Sequence, residues 1–164
     1  MASISEDKHN RYMRLALSVA EESPPKPTNF RVGAVIVDGS TDVVLATGHT
    51  LELPGNTHAE QCCFMKISSE HGDKPIDQLL SPQAVLYTTM EPCSKRLSGN
   101  LPCVDRILQT NIKTVYVGVY EPSKFVDQNN GRQRLEAAGI KFIHVPGFED
   151  EILKTATEGH VNNV

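Results

Sequence analysis

Three residues of this chain, His58, Cys93 and Cys103, are of the types that hold a zinc ion. A catalytic zinc takes three protein ligands in a tetrahedral arrangement and keeps its fourth position for water. Two thiolates and a neutral imidazole balance the charge of Zn2+ and leave it acidic enough to produce hydroxide near neutral pH. The sequence therefore predicts a zinc cofactor whose chemistry is hydrolysis.

Glu60 follows His58 by two residues and places a carboxylate beside the predicted metal. When hydroxide attacks an aromatic carbon that bears an amino group, a ring nitrogen must be protonated first and the leaving amine later. A single carboxylate that carries protons in both directions meets both needs. We therefore predict that Glu60 is the catalytic acid and base of a hydrolytic deamination.

Two other interpretations compete with this site. Glu60 stands three residues after Thr57, the spacing of a capping box at a helix start, so it could serve the helix alone. Cys62 stands four residues after His58, on the same face of the predicted helix, and is a rival metal ligand. Against that rival, Cys62 and Cys63 lie among apolar residues of a helix that should face the core, so we expect both to be buried.

The elements that must position these residues alternate between strands and helices. Apolar periodicity predicts strands over residues 32–37, 43–47, 84–88, 114–119 and 141–145. It predicts helices from Ser5 to the prolines at 24–27, from 57 to about 69, from Pro102 to 108, over 132–138 and from about 148.

This order of elements favours one domain, residues 1–164, with a three-layer α/β/α sandwich. Its central five-stranded mixed sheet should begin with an antiparallel hairpin and be mostly parallel elsewhere. His58 and Cys103 are predicted at helix starts, and Cys93 just beyond a strand. The three ligands could therefore converge at one edge of the sheet.

Composition narrows the class of partner. The formal net charge of −4 provides no overall positive field for nucleic acid or an anionic membrane. The chain has no tryptophan and only 5% aromatic residues, too few to stack a strand of bases. It contains no apolar run long enough to span a membrane, and its polar N-terminus lacks the apolar core of a secretory signal. We therefore expect a cytoplasmic, intracellular protein with a small-molecule substrate, without nucleic-acid or membrane partners.

The segments His58-Ala59-Glu60 and Pro92-Cys93, with a second Pro-Cys pair at Cys103, resemble the H-x-E and P-C-x-x-C motifs of the zinc nucleobase deaminases. Nine residues separate the two cysteines here instead of two. The stretch EPCS, a long loop and PC are similar to the deaminases of riboflavin biosynthesis, especially the fungal pyrimidine deaminase. Residues 29–33, 55–60 and 121–123 also agree with this branch, and the resemblance spans about residues 10–160.

This resemblance implies removal of the 2-amino group from a diaminopyrimidinone that carries a ribitylamino or ribosylamino 5'-phosphate. It implies a homodimer, and a reductase supplied by another protein. It also implies a set of substrate-binding residues, in which Lys95 and Arg96 would meet the phosphate. The full set is Asn29, His49, Ala59, Ser94, Lys95 and Arg96.

One position departs from the family pattern. The family usually has a histidine seven residues before the metal histidine, where this chain has Leu51. His49 could replace it if the segment is extended, because positions 49 and 51 would then project to the same side. Two other functions stay open from sequence: a deaminase of cytosine, guanine or tRNA adenosine, and a zinc-stabilised subunit without activity.

Overall fold

The computed structural model describes residues 4–96, 99–120 and 130–160, without the side chains of residues 4–6. Its strands are β1 (Gly33–Asp38), β2 (Val43–His49), β3 (Ala84–Met90), β4 (Thr114–Val119) and β5 (Lys141–His144). Its α-helices are α1 (Ile4–Ala20), α2 (Ala59–Glu70), α3 (Cys103–Leu108), α4 (Gly131–Ala137) and α5 (Glu149–Ala156).

The five strands form a single sheet in the order β2-β1-β3-β4-β5. β1 pairs antiparallel with both β2 and β3, whereas β3, β4 and β5 run parallel. The predicted mixed five-stranded sheet is confirmed, but half of its pairings are antiparallel rather than a minority. The reason is that α2 carries the chain over β1, so β2 and β3 point the same way with β1 between them.

Helices cover both faces of the sheet, as the predicted three-layer architecture requires. Successive residues of β1 alternate between the two cores, because side chains of a strand point to opposite faces. Ala34 and Ile36 join the core under α2, α3 and α4, and Val35 and Val37 join the core under α1 and α5. β1 is therefore buried on both faces, which explains its unbroken apolar sequence.

Two glycines let helices lie directly on the sheet. A Cβ atom at Gly33 would lie 1.9 Å from the carbonyl oxygen of Ala16 in α1. A Cβ atom at Gly48 would lie 2.4 Å from the carbonyl oxygen of Ala59, at the start of α2. Neither position can hold a side chain unless the helix moves. Gly48 thus sets the distance between β2 and the first turn of α2.

The predicted bounds of two helices differ slightly from the structure. α1 begins at Ile4, so Ser5 lies within the helix rather than before it, and its side chain is outside the described residues. Pro102 precedes the first residue of α3 instead of occupying that position. Among the described helices, none is both long enough and apolar enough to cross a bilayer.

Candidate metal centre and active site

His58, Cys93 and Cys103 converge at the carboxyl end of β3, as predicted. His58 is the residue before α2, Cys93 follows the last residue of β3 by three positions, and Cys103 is the first residue of α3. The Nδ1 atom of His58 lies 3.5 Å from the Sγ atom of Cys93 and 3.4 Å from that of Cys103. Three segments therefore bring their ligand atoms within 4.8 Å of one another.

The geometry of this cluster fits zinc. With bonds of about 2.3 Å to sulfur and about 2.0 Å to nitrogen, tetrahedral coordination places sulfur and nitrogen ligands roughly 3.5 Å apart. The two observed distances from Nδ1 match that value. One imidazole and two thiols are also a donor set that suits zinc. Cys62, the rival ligand, is fully buried in α2 and is not part of this cluster.

The start of α3 stabilises a thiolate at Cys93. The backbone N–H of Cys103 donates to the Sγ atom of Cys93 at 3.3 Å. The hydrogen bond between the two thiols and the neighbouring His58 together lower the pKa of Cys93 to about 4, although burial opposes the shift. The same bond, together with burial, raises the pKa of Cys103. A thiolate at Cys93 would be ready to bind metal, and Cys103 would release its proton on binding.

Glu60 lies buried beside this cluster. Its side chain is only 3% exposed, and burial raises the pKa of its carboxyl group. The hydroxyl oxygen of Thr88, in β3, lies 3.0 Å from Oε1 of Glu60 and 2.9 Å from the carbonyl oxygen of Met90. The site therefore contains a carboxyl group that is held in place and whose protonated form is favoured by burial.

The capping interpretation of Glu60 is wrong. The residue that precedes α2 is His58, and its backbone N–H donates to Oε1 of Gln61 at 3.3 Å. The hydroxyl of Thr57 instead donates to the carbonyl oxygen of Leu53 at 2.9 Å. Gln61 takes the capping position, and the carboxyl group of Glu60 faces Thr88.

Two of the predicted substrate residues, Ala59 and Ser94, directly follow metal ligands in the chain, and Asn29 contacts the segment before His58. The side-chain amide of Asn29 donates to Oδ1 of Asn56, two residues before His58, at 3.0 Å. The backbone N–H of Ala59 belongs to the first turn of α2, whose amides have no acceptor within the helix. The hydroxyl of Ser94 accepts from the backbone N–H of Asn130 at 3.3 Å. The segment 121–123, which resembled the family, lies outside the described residues.

The segment from His49 to Leu51 is not extended. The condition under which His49 was expected to replace the family's histidine at position 51 is therefore not met. β2 ends at His49, and Leu51 has a φ of 63°, in the left-handed region that few side chains adopt. The Nδ1 atom of His49 lies 3.0 Å from the carbonyl oxygen of Thr50, and its Nε2 atom lies 3.8 Å from a carboxylate oxygen of Glu52. Positions 49 and 51 therefore do not project to the same side in the way an extended strand would require.

The two cations after Cys93 have different surroundings. Lys95 is exposed, as the default for a loop lysine predicts. Arg96 is buried, only 9% exposed, with its guanidinium group hydrogen-bonded to protein acceptors. Burial of Arg96 carried no signal in the sequence. The burial of Thr88 could have been found from the sequence, because Thr88 is a polar residue on the same face of β3 as Ala84 and Leu86, which belong to the core.

The fold and the His-Cys-Cys cluster are those of the cytidine and deoxycytidylate deaminase family, and the chain belongs to that family. The sequence profile of the cytidine and deoxycytidylate deaminase zinc-binding region matches residues 6–119. The match covers His58, Cys93 and Cys103 together. It confirms the predicted family and the predicted zinc cofactor.

More specific relatives come from riboflavin biosynthesis. The diaminohydroxyphosphoribosylamino-pyrimidine deaminase of Schizosaccharomyces pombe is 41% identical over 152 residues, which are 93% of this chain and 36% of that protein. The riboflavin biosynthesis protein RibD of Aquifex aeolicus is 33% identical over 144 residues. The chain spans about a third of the length of these curated relatives.

A solved structure matches along nearly the whole chain. The Rib2 deaminase of Aspergillus oryzae, a C-terminal deletion mutant, is 46% identical, with a TM-score of 0.84 over 94% of this chain and 93% of that one. The same protein has been crystallised in complex with DARIPP, and that structure gives a TM-score of 0.85 at 46% identity, with the same coverage of both chains. The resemblance to the fungal branch, inferred from the sequence, is thereby confirmed.

Proposed function

We propose that this chain is a zinc-dependent deaminase of riboflavin biosynthesis. It hydrolyses the 2-amino group of a diaminopyrimidinone that carries a ribitylamino or ribosylamino 5'-phosphate. The observation that supports this proposal most strongly is the buried carboxyl group of Glu60, which lies beside the His58, Cys93 and Cys103 cluster and is held by Thr88. A zinc site with a purely structural role has no use for such a group.

The chain's own residues handle the protons of this reaction. Zinc, when bound to His58, Cys93 and Cys103, supplies a water acidic enough to be the nucleophile. Glu60 takes one proton of that water and gives it to the ring nitrogen next to the attacked carbon. It then takes the second proton, from the hydroxyl group added to that carbon, and gives it to the departing amine. A raised pKa suits this work, because the carboxyl group must gain and lose a proton near the working pH.

The proposed substrate agrees with the relatives and with the charge of the site. The Aspergillus relative was crystallised with DARIPP, and the yeast relative is named for a phosphoribosylamino-pyrimidine. Lys95 is exposed two residues after Cys93, where an ammonium group can meet a phosphate. Asn29, His49, Ala59 and Ser94 are the proposed contacts to the rest of the substrate.

Ammonia release tests this function directly. Purified protein loaded with zinc should release ammonia from the ribitylamino-pyrimidine phosphate, and Glu60→Gln should reduce the rate by several orders of magnitude while keeping the metal. Turnover of cytosine or guanine without turnover of this substrate would contradict the proposed branch. Release of ammonia by the Glu60→Gln variant at the wild-type rate would contradict the role of Glu60.

We also propose that the enzyme is a cytoplasmic homodimer. All four cysteines, each within the described ranges, are free thiols, as expected in a reducing compartment. The homodimer follows from the family resemblance of the sequence. Light scattering coupled to gel filtration should give twice the mass of the 18.0 kDa chain, and a mass of one chain would contradict the dimer.

A further inference from the structure

We propose that Arg96 positions the three segments that carry the metal ligands and does not itself bind the substrate phosphate. The inference rests on the ligand set of the proposed function, since it concerns how that set is held together. The sequence predicted a different role for Arg96, in which it binds the substrate phosphate together with Lys95.

The guanidinium group of Arg96 reaches a neighbour of each ligand. Arg96 itself follows Cys93 by three residues. Its Nη2 atom donates to the carbonyl oxygen of Asn56, two residues before His58. Its Nη1 atom donates to Oε1 of Gln61 at 3.1 Å and to the carbonyl oxygen of Leu101, two residues before Cys103, at 3.4 Å. One planar cation therefore joins all three segments.

Gln61 connects this cation to the metal histidine. Its Oε1 atom accepts both from Arg96 and from the backbone N–H of His58, the latter at 3.3 Å. The side chain that caps α2 is thus fixed in turn by Arg96. Hydrogen bonds from a charged donor are among the stronger ones in proteins, and a planar fork holds several acceptors in fixed directions.

The same contacts leave Arg96 poorly suited to a phosphate. Recognition of phosphate by arginine uses two parallel N–H groups on one edge of the guanidinium group. Here Nη1 and Nη2 are engaged with protein acceptors, and the side chain is only 9% exposed. Three of its five N–H groups donate to protein acceptors, and the Nε atom, which has no acceptor among the described residues, is buried away from a solvated phosphate. Exposed Lys95 is the better phosphate contact.

The wide spacing of the two cysteines explains why the loop between them needs a contact such as that of Arg96. Nine residues separate Cys93 from Cys103, and the described part of this loop contains no helix or strand before α3. A loop without regular structure costs conformational entropy to hold in one arrangement. Arg96 lies inside the loop and binds back to its far end at Leu101, which keeps the two sulfurs at the same site.

Zinc affinity tests the inference without reliance on activity. Arg96→Met and Arg96→Lys should each weaken zinc binding at least about tenfold, the size expected for residues that orient metal ligands. The dissociation constant is measured by competition with a chromophoric chelator, with folding checked by circular dichroism. Lys95→Met, the matched control, should bind zinc like the wild type. Should Arg96→Met fail to fold, the Arg96→Lys value decides.

Substrate kinetics separate the two roles of Arg96. With zinc at saturation, loss of a phosphate contact would raise KM for the phosphorylated substrate and leave the dephosphorylated one unaffected, as we expect for Lys95→Met. For Arg96→Met we expect the KM values of the phosphorylated and the dephosphorylated substrate to change by the same factor. Wild-type zinc affinity in either Arg96 variant, or a defect confined to the phosphorylated substrate, would overturn the inference.

A control variant separates this inference from the proposed function. His58→Ala should lose zinc outright, whatever Arg96 does. If His58→Ala keeps zinc, the ligand set itself is wrong and the proposed function fails. If His58→Ala loses zinc while either Arg96 variant keeps wild-type affinity, only the role of Arg96 is refuted.

Discussion

The hydroxyl group of Thr88 lies within hydrogen-bonding distance of both Glu60, at 3.0 Å, and the carbonyl oxygen of Met90, at 2.9 Å. A hydroxyl has one hydrogen to donate and lone pairs to accept with. When Glu60 is ionised, Thr88 can donate to it. When Glu60 is protonated, Thr88 can accept from it and donate to Met90. The same side chain therefore holds the carboxyl group in both of the states that proton transfer requires.

Replacement of Thr88 by valine should slow catalysis without loss of metal. The variant keeps the shape of the side chain but leaves a buried carboxyl group without this partner, which costs on the order of 1–2 kcal/mol and lowers kcat about tenfold. Steady-state ammonia release gives kcat, and metal analysis confirms the zinc content.

Thr89→Val is the matched control for that change. Thr89 is also fully buried in β3, but its hydroxyl accepts from the backbone N–H of Gly33 at 3.1 Å, and as the next residue of the strand it points to the opposite face from Thr88. We expect Thr89→Val to lower the melting temperature and leave kcat unchanged. Equal kcat values for wild type and Thr88→Val would show that Glu60 does not need this hydroxyl.

Removal of either ligand cysteine should abolish zinc binding. Cys93→Ala and Cys103→Ala each leave only two ligands, too few for a stable zinc site. Cys62→Ala, four residues from His58 and fully buried, should retain stoichiometric zinc. Mass spectrometry of metal bound to the purified variants makes the comparison. Loss of zinc from the Cys62 variant alone would refute the ligand set.

The stability of the fold should fall in mild acid because of His9. Burial lowers the pKa of His9, with help from Lys8, while its ring stacks on Tyr116 at 4.2 Å and its Nδ1 atom lies 2.7 Å from the hydroxyl of Tyr87. The unfolded chain titrates near 6.5, so below about that pH it binds more protons than the folded chain. The unfolding free energy contributed by His9 is therefore complete above this pH and declines as the pH falls towards the lowered pKa.

His9→Phe isolates this effect, since phenylalanine keeps the ring stack and cannot titrate. Thermal melts of both proteins between pH 7.5 and pH 5.5 should show the wild type losing more stability than the variant on acidification. Other histidines are common to both proteins and cancel in the comparison. Two melting curves that shift in parallel with pH would contradict the assignment to His9.

Gly48→Ala should disturb the metal centre through packing alone. The added methyl group would lie 2.4 Å from the carbonyl oxygen of Ala59, so α2 must move away from β2. We expect a loss of about 1–3 kcal/mol in unfolding free energy, with weaker zinc binding, because His58 precedes that helix turn. Val44→Ala, at an exposed position of the same strand, is the control and should change neither the melting temperature nor the zinc affinity by a comparable amount.

Much of the architecture was predictable because its signals are local. The strand at Thr114–Val119 and the strands that begin at Ala84 and Lys141 follow from apolar runs between turn residues. The metal ligands followed from residue types with fixed chemical demands, and their positions at helix starts and a strand end followed from the turns. These features depend on a few neighbouring residues, which a sequence displays directly.

The remaining features depend on contacts between distant residues. The capping role of Gln61 instead of Glu60 was decided by the position of β3, which presents Thr88 to the carboxyl group across 28 residues of chain. The burial of Arg96 depends on Asn56, which lies 40 residues away. The antiparallel pairing of β1 with β3 depends on where α2 crosses the sheet. None of these partners is specified by local spacing.

The metal ligands bridge the two halves of the sheet. His58 comes directly after the antiparallel hairpin of β1 and β2, whereas Cys93 and Cys103 lie on the route from β3 into the parallel strands, 35 and 45 residues further along. An unfolded chain cannot gather ligands so far apart, so much of the binding energy is available only to the finished fold. Zinc held at this cluster would therefore stabilise the fold as well as supply its chemistry, and its removal by a chelator should lower the melting temperature.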